Sequence, residues 1–176
     1  MVAAPIPLPL RMKSAGLRVT PHYQRQAERV FWPVLPITNM KTLFTAEAIS
    51  KGGRSGTLQA PDCLLNITLG NPLEKGLEHR GPSPELLFAG AYAACFHGAL
   101  GGAAKKLGTP VTDYTVRALV SLNEDDPDGW CLGVELHAQL PGLGRDQAQR
   151  IMEAAHQTCP YSKALRGGIA VKLVLD

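Results

Sequence analysis

Four cysteines, at positions 63, 95, 131 and 159, are the side chains of this sequence best suited to chemistry. No two of them have the spacing of a zinc knuckle or a thioredoxin-like centre. Cys63 and Cys131 fall inside alternating, strand-like runs, where a cysteine ordinarily serves as a small buried hydrophobe. Cys95 follows two alanines in a strongly apolar stretch, a position open both to an inert core thiol and to a reactive one with room around it. Cys159 stands immediately before Pro160 at a helix start, where unpaired N–H groups favour a thiolate. His97 and His156 lie close to Cys95 and Cys159 and raise the question of a two-Cys, two-His metal site. Residues two apart on a helix point about 200° apart, so Cys95 and His97 are poorly placed to share an ion, and structural zinc is disfavoured. Both histidines read as surface or packing residues, with modulation of a thiol as the alternative.

The elements that must position these residues are legible in outline. Lys41 to Ser50 reads as a strand, followed by the turn-forming run Gly52-Gly53-Arg54-Ser55-Gly56, and Cys63 to Leu69 alternates as another strand. Residues 70–82 form a Gly/Pro/charge-rich loop. Ser83 then caps a helix, Pro84 occupies its first position, and Glu85 faces the positive end of the dipole. This helix runs from Pro84 to about Lys106 and is apolar on every face, which requires burial. Gly90, Gly98, Gly101 and Gly102 weaken it locally, and close packing against neighbouring backbone is expected to compensate. Strands follow at 111–122 and 131–140 across an acidic turn, then an amphipathic helix from Arg145 to Thr158 with Ala148, Ile151, Met152 and Ala155 on one face. A short helical piece after Cys159 and a closing strand, 169–175, complete an α+β domain with an antiparallel sheet packed on a buried central helix.

The chain has 176 residues, 45% of them hydrophobic and 19% charged, which suits one globular domain and excludes wholesale disorder. No apolar run is expected to cross a bilayer. The net charge of +3 is unevenly placed. Residues 1–39 carry Arg11, Lys13, Arg18, Arg25 and Arg29 against Glu28 alone, whereas the rest holds 13 basic and 14 acidic side chains. The basicity belongs to this proline-rich, poorly ordered extension, so a nucleic-acid surface on the domain, residues 40–176, is not expected. The extension lacks an apolar core with a cleavage site, and a cytoplasmic protein is expected.

Four patches carry a likeness to a known family: Gly52-Gly53-Arg54-Ser55-Gly56, Pro84 through Phe96 (PELLFAGAYAACF), Leu140-Pro141-Gly142-Leu143, and His156-Gln157-Thr158-Cys159-Pro160-Tyr161-Ser162. In this order and spacing the sequence from Met40 onward resembles the organic hydroperoxide resistance (Ohr) branch of the OsmC/Ohr superfamily. The resemblance implies that Cys95 is the peroxidatic cysteine, Cys159 the resolving cysteine, Arg54 the arginine that stabilises thiolate and peroxide, and Glu85 the carboxylate that orients Arg54. It also implies an intertwined homodimer, no cofactor, and regeneration by an external dithiol, typically the lipoyl group of a lipoylated protein. The sequence departs from the family pattern at Ser83, where Asn is usual, and at Arg166-Gly167-Gly168-Ile169, while Lys163-Ala164-Leu165 leans toward the sister OsmC branch.

These residue types suit the implied chemistry. Apolar burial opposes thiol ionisation, so a cation beside Cys95 is required, and a guanidinium supplies permanent charge and forked donors. A buried arginine is costly unless paired, which gives Glu85 its purpose. Without the family, Arg54 reads as a solvated turn arginine and Glu85 as a first-turn carboxylate. Phe88, Tyr92 and Phe96 surround Cys95 with apolar surface better suited to an alkyl or fatty-acid hydroperoxide than to hydrogen peroxide. Two other readings compete: an OsmC-branch peroxidase of broader substrate use, and a non-catalytic redox sensor or binding module.

Overall fold

The computed structural model describes residues 41–76, 80–125 and 129–176. The chain divides after Asn39, and the second unit, Met40–Asp176, is compact. The basic extension expected at residues 1–39 lies outside the described residues.

The N-terminal part of the second unit is a small antiparallel sheet. Strands β1 (Ile49–Lys51), β2 (Thr57–Gln59) and β3 (Asn66–Thr68) pair in that order. A 3-10 turn, Gly53–Ser55, links the first two. Gly52 enters it at φ 78°, and a Cβ on Gly56 would strike the Lys51 carbonyl oxygen, so this turn closes only with glycine at its ends. These strands are far shorter than the alternating sequence suggests. Residues 41–48 form no strand, and Cys63 sits in a loop with φ 63°.

Helix α1 (Pro84–Lys106) begins as its sequence dictates. The Leu86 N–H donates to Ser83 Oγ at 3.2 Å, Pro84 occupies the first turn, and Lys105 and Lys106 stand in the last, near the negative end of the dipole. A window of α1 has mean hydropathy 1.3, so in length and composition it could cross a bilayer, contrary to the sequence expectation. Its buried face instead centres the core. Tyr92, Phe96, Leu100, Ala103 and Ala104 line that face, and α1 packs against the strand Thr115–Asp125 and the helix Arg145–Thr158.

A long hairpin covers that face. Strands β4 (Thr115–Asp125) and β5 (Gly129–Gln139) pair antiparallel from Thr115↔Gln139 to Asp125↔Gly129. Helix α2 (Arg145–Thr158) buries Ala148, Ile151, Met152 and Ala155, the face its periodicity marks. Helix α3 (Pro160–Leu165) follows without a loop, and β6 (Val171–Leu175) closes the second sheet beside β5. The fold is α+β. Its β1–β2–β3 and β4–β5 pairings are antiparallel, whereas β6 runs parallel to β5, because α2 and α3 together carry the chain back across the sheet.

Burial differs from expectation in three places. α1 is buried along one side only, and Leu86 is 61% exposed. Gly101 alone among the four α1 glycines packs closely, under the Tyr114 hydroxyl; a Cβ at Gly90, Gly98 or Gly102 would meet nothing within 4 Å. Cys63 and Cys131 are exposed rather than buried, Cys63 because it leaves its strand and Cys131 because it lies near the turn end of the β4–β5 hairpin, away from the core.

Candidate active site

The two cysteines singled out by the sequence meet. α1 presents Cys95, half-buried, and the α2–α3 junction presents Cys159, fully buried, with their sulfurs 3.4 Å apart. Cys159 is held by its place in the backbone. Its N–H donates to the Ala155 carbonyl at 2.8 Å, and its own carbonyl accepts the Lys163 N–H at 2.9 Å.

A second contact ties the same elements together. Tyr92, one turn before Cys95, and Ser162, one turn after Cys159, share a buried hydroxyl–hydroxyl hydrogen bond of 2.9 Å. Phe88, Tyr92 and Tyr161 form an aromatic cluster with centroids 5.7 to 6.0 Å apart. Sequence reasoning took Tyr92 only as apolar lining and did not find Ser162. The available signal was their matching three-residue offsets from the two cysteines. Phe96 is placed differently from the expectation, in the core beneath α1.

Desolvation dominates the electrostatics of the Cys95 thiol. Burial pushes the Cys95 thiol up, a hydrogen bond from the Tyr161 backbone works against this, and Cys159 raises it further. The Tyr92 hydroxyl is also pushed up, first by burial, with Ser162 opposing and both thiols adding to the rise. Cys95 opens onto a groove of about 680 Å³, lined mainly by small and apolar residues of α1 and α2.

Arg54 and Glu85 also meet. The 3-10 turn aims Arg54 at the first turn of α1, where Arg54 Nη2 donates to Glu85 Oε2 at 2.7 Å. The guanidinium holds the Glu85 carboxyl below the usual carboxylate range, against a smaller opposing effect of burial, and Glu85 in turn raises Arg54. Arg54 Nε is buried and has no hydrogen-bond partner among the described residues.

The two pairs do not meet each other. Ten residues of α1 separate Glu85 from Cys95, about 15 Å of helix axis, and among the described residues no cation acts on the Cys95 thiol. Nor do the histidines complete a metal site. His97 stacks on Tyr114 at 4.1 Å, and among the described residues no cluster of three or more ligand-type side chains occurs.

The family model of OsmC-like proteins matches residues 76–174. The chain belongs to the OsmC-like family. Its relatives place it in the organic hydroperoxide resistance branch. It is 42% identical over 134 residues to the organic hydroperoxide resistance protein OhrB of Bacillus subtilis, which covers 76% of this chain and 98% of that protein. It is 40% identical over 138 residues to an organic hydroperoxide resistance protein of Xanthomonas axonopodis pv. citri, covering 77% and 96%. The crystal structure of Bacillus subtilis OhrB superposes with a TM-score of 0.73 at 41% identity, over 77% of this chain and 100% of that one. An organic hydroperoxide resistance protein from Legionella pneumophila gives 0.72 at 40% identity, over 77% and 99%. The Ohr branch thus prevails over the OsmC-leaning residues 163–165.

Proposed function

We propose that this protein is a thiol-dependent peroxidase that reduces organic hydroperoxides to alcohols. The observation that carries the reading is the 3.4 Å contact of Cys95 and Cys159 at the edge of an apolar groove. The Cys95 thiolate attacks the terminal oxygen of the hydroperoxide. An S–O bond forms, the O–O bond breaks, and the alkoxide leaves and takes a proton to become the alcohol, leaving Cys95 as sulfenic acid. The Cys159 thiolate then attacks the Cys95 sulfur, a disulfide forms, and hydroxide departs as water after protonation. Two thiols of an external dithiol reduce the disulfide and become a disulfide themselves. A lipoyl group of a protein partner in the cytoplasm suits that role by resemblance to the family, and no cofactor is needed.

The alkoxide and the thiolate both need a cation, and within one chain Arg54 is too far away. Two copies related by a two-fold axis meet the need. If their α1 helices run antiparallel and cross midway between residues 85 and 95, each Arg54–Glu85 pair faces the partner's Cys95. The crossing point is Gly90, which is exposed and has nothing within 4 Å of a Cβ, so two backbones have room to approach. The exposed Leu43, Phe44, Leu64 and Leu86 supply apolar surface for such a dimer to cover. Arg54 Nε, buried and without a partner among the described residues, is then a donor available to a peroxide oxygen, while Glu85 fixes the plane of the guanidinium.

The test is consumption of tert-butyl hydroperoxide with dihydrolipoamide by the wild type, Cys95→Ser and Cys159→Ser. Cys95→Ser is expected to be inactive and Cys159→Ser to form a sulfenic acid once without cycling through a disulfide. Full turnover by Cys95→Ser would sink the mechanism. A wild type that oxidises once and never cycles would make the protein a sensor.

A further inference from the structure

The groove beside Cys95 has a direction. From α1, Cys95, Ala99, Gly102 and Lys106 line it, at spacings of four, seven and eleven residues that return to one face of the helix. The eleven residues from Cys95 to Lys106 span about 16 Å. Between those ends the floor is built of small residues, and Ala154, Thr158 and Pro160 form the opposite wall. The result is a long slot with a thiol at one end and an ammonium at the other.

Lys106 is the single charged side chain in this lining. It is exposed and makes no ion pair among the described residues. Its neighbour Lys105 shares the last turn of α1 but does not line the groove. No carboxylate of the lining competes for the ammonium. An apolar slot ended by one cation complements an apolar chain ended by one anion.

We propose that Lys106 is a specificity-determining residue that binds the carboxylate of a long-chain fatty-acid hydroperoxide, with the chain along the α1–α2 groove and the hydroperoxide at Cys95. The assignment rests on the peroxidase reading of Cys95 and deepens it. The helical span favours a hydroperoxide carried far along the chain over one next to the carboxylate. Because the ammonium is exposed, its contribution is modest and sensitive to salt.

The experiment compares a fatty-acid hydroperoxide with its methyl ester in wild type, Lys106→Met and Lys106→Arg, using dihydrolipoamide as reductant. In Lys106→Met the ratio of kcat/KM for acid over ester is expected to fall about three- to fivefold, chiefly through the KM of the acid. Lys106→Arg should retain the ratio, and added salt should erode it in the wild type. An unmoved ratio, or equal losses for acid and ester, overturns the proposal. So does a fall in activity on both that follows loss of self-association, because the groove is then filled by a second copy of the chain. Calorimetric binding of the parent, unoxidised fatty acid keeps the two readings apart. If no hydroperoxide is reduced, the peroxidase reading fails, while binding weakened in Lys106→Met and kept in Lys106→Arg still supports the carboxylate site, and binding indifferent to Lys106 removes it.

Discussion

Cys95 and Glu85 sit on the same helix in surroundings of opposite character. Around Cys95 the contacts come from the core of a single chain: Cys159 and Ser162 are fully buried, and α2 and α3 hold them against α1. Around Glu85 the partner is a charge delivered by a three-residue turn between three-residue strands, and the Arg54 side chain keeps 31% of its surface exposed. The C-terminal sheet has eleven-residue strands with an inner face in the core, whereas β1 and β3 are almost wholly exposed. The thiol end is thus finished by one chain, whereas in the proposed dimer the ion-pair end is completed by the second copy. On that proposal, Glu85 holds the Arg54 charge in one orientation before it meets its thiol.

The sharpest way to break this contrast is to remove the chemistry from one end. Cys95→Ser is expected to lower hydroperoxide turnover by about 10³-fold or more, read as peroxide consumed under excess dithiol. Removing charge at the other end by Arg54→Met should cost about 10²-fold, the scale of losing one preorganised donor to a developing oxyanion. It should also move the midpoint of Cys95 alkylation, followed against pH, to a higher value. Mixing refolded Cys95→Ser and Arg54→Met chains tests whether the ends work across two copies. Recovery of about a quarter of wild-type activity is expected for random pairing with sites completed in trans. No recovery would confine each site to one chain.

Smaller effects sharpen the picture. Because Arg54 depresses the Glu85 carboxyl, the ion pair contributes fully above the ordinary Glu range of about 4.3. That contribution is lost only as pH falls through the lower folded value. Glu85→Gln should therefore flatten the acid side of the stability curve below about pH 4, measured by urea unfolding. Tyr92→Phe leaves Ser162 buried without its partner and should cost about 1 to 2 kcal/mol in the same measurement. It should also slow formation of the Cys95–Cys159 disulfide after a peroxide pulse.

Local signals carried the sequence reading a long way where they were strong. Ser83, Pro84 and Glu85 marked the start of α1, and the periodicity of residues 145–158 marked both the extent and the buried face of α2. Alternation misled where no face was buried by the same chain. Residues 41–48 and Cys63 carry strand-like patterns but form no strand, since a pattern becomes structure only when something covers it. The pairing of Cys95 with Cys159 could not be deduced from propensities, because 64 residues of chain lie between them; only the ordered motifs suggested it. The distance between the two pairs was, by contrast, available from helix geometry alone once Glu85 and Cys95 were placed on one helix.

The parallel pairing of β6 bears on how the protein is made. Val134 finds Val171 only after the intervening helices have crossed the sheet, whereas β4 and β5 zip from Asp125↔Gly129. Cys159 lies inside that crossover. During synthesis or refolding the hairpin is expected first and the meeting of the thiols last, because distant pairing pays its chain entropy before any contact rewards it. Until then each sulfur lacks the neighbour that, in the proposed mechanism, would rescue it from overoxidation. A chain that guards against peroxides is thus at its most vulnerable to them in the interval before its final strand docks.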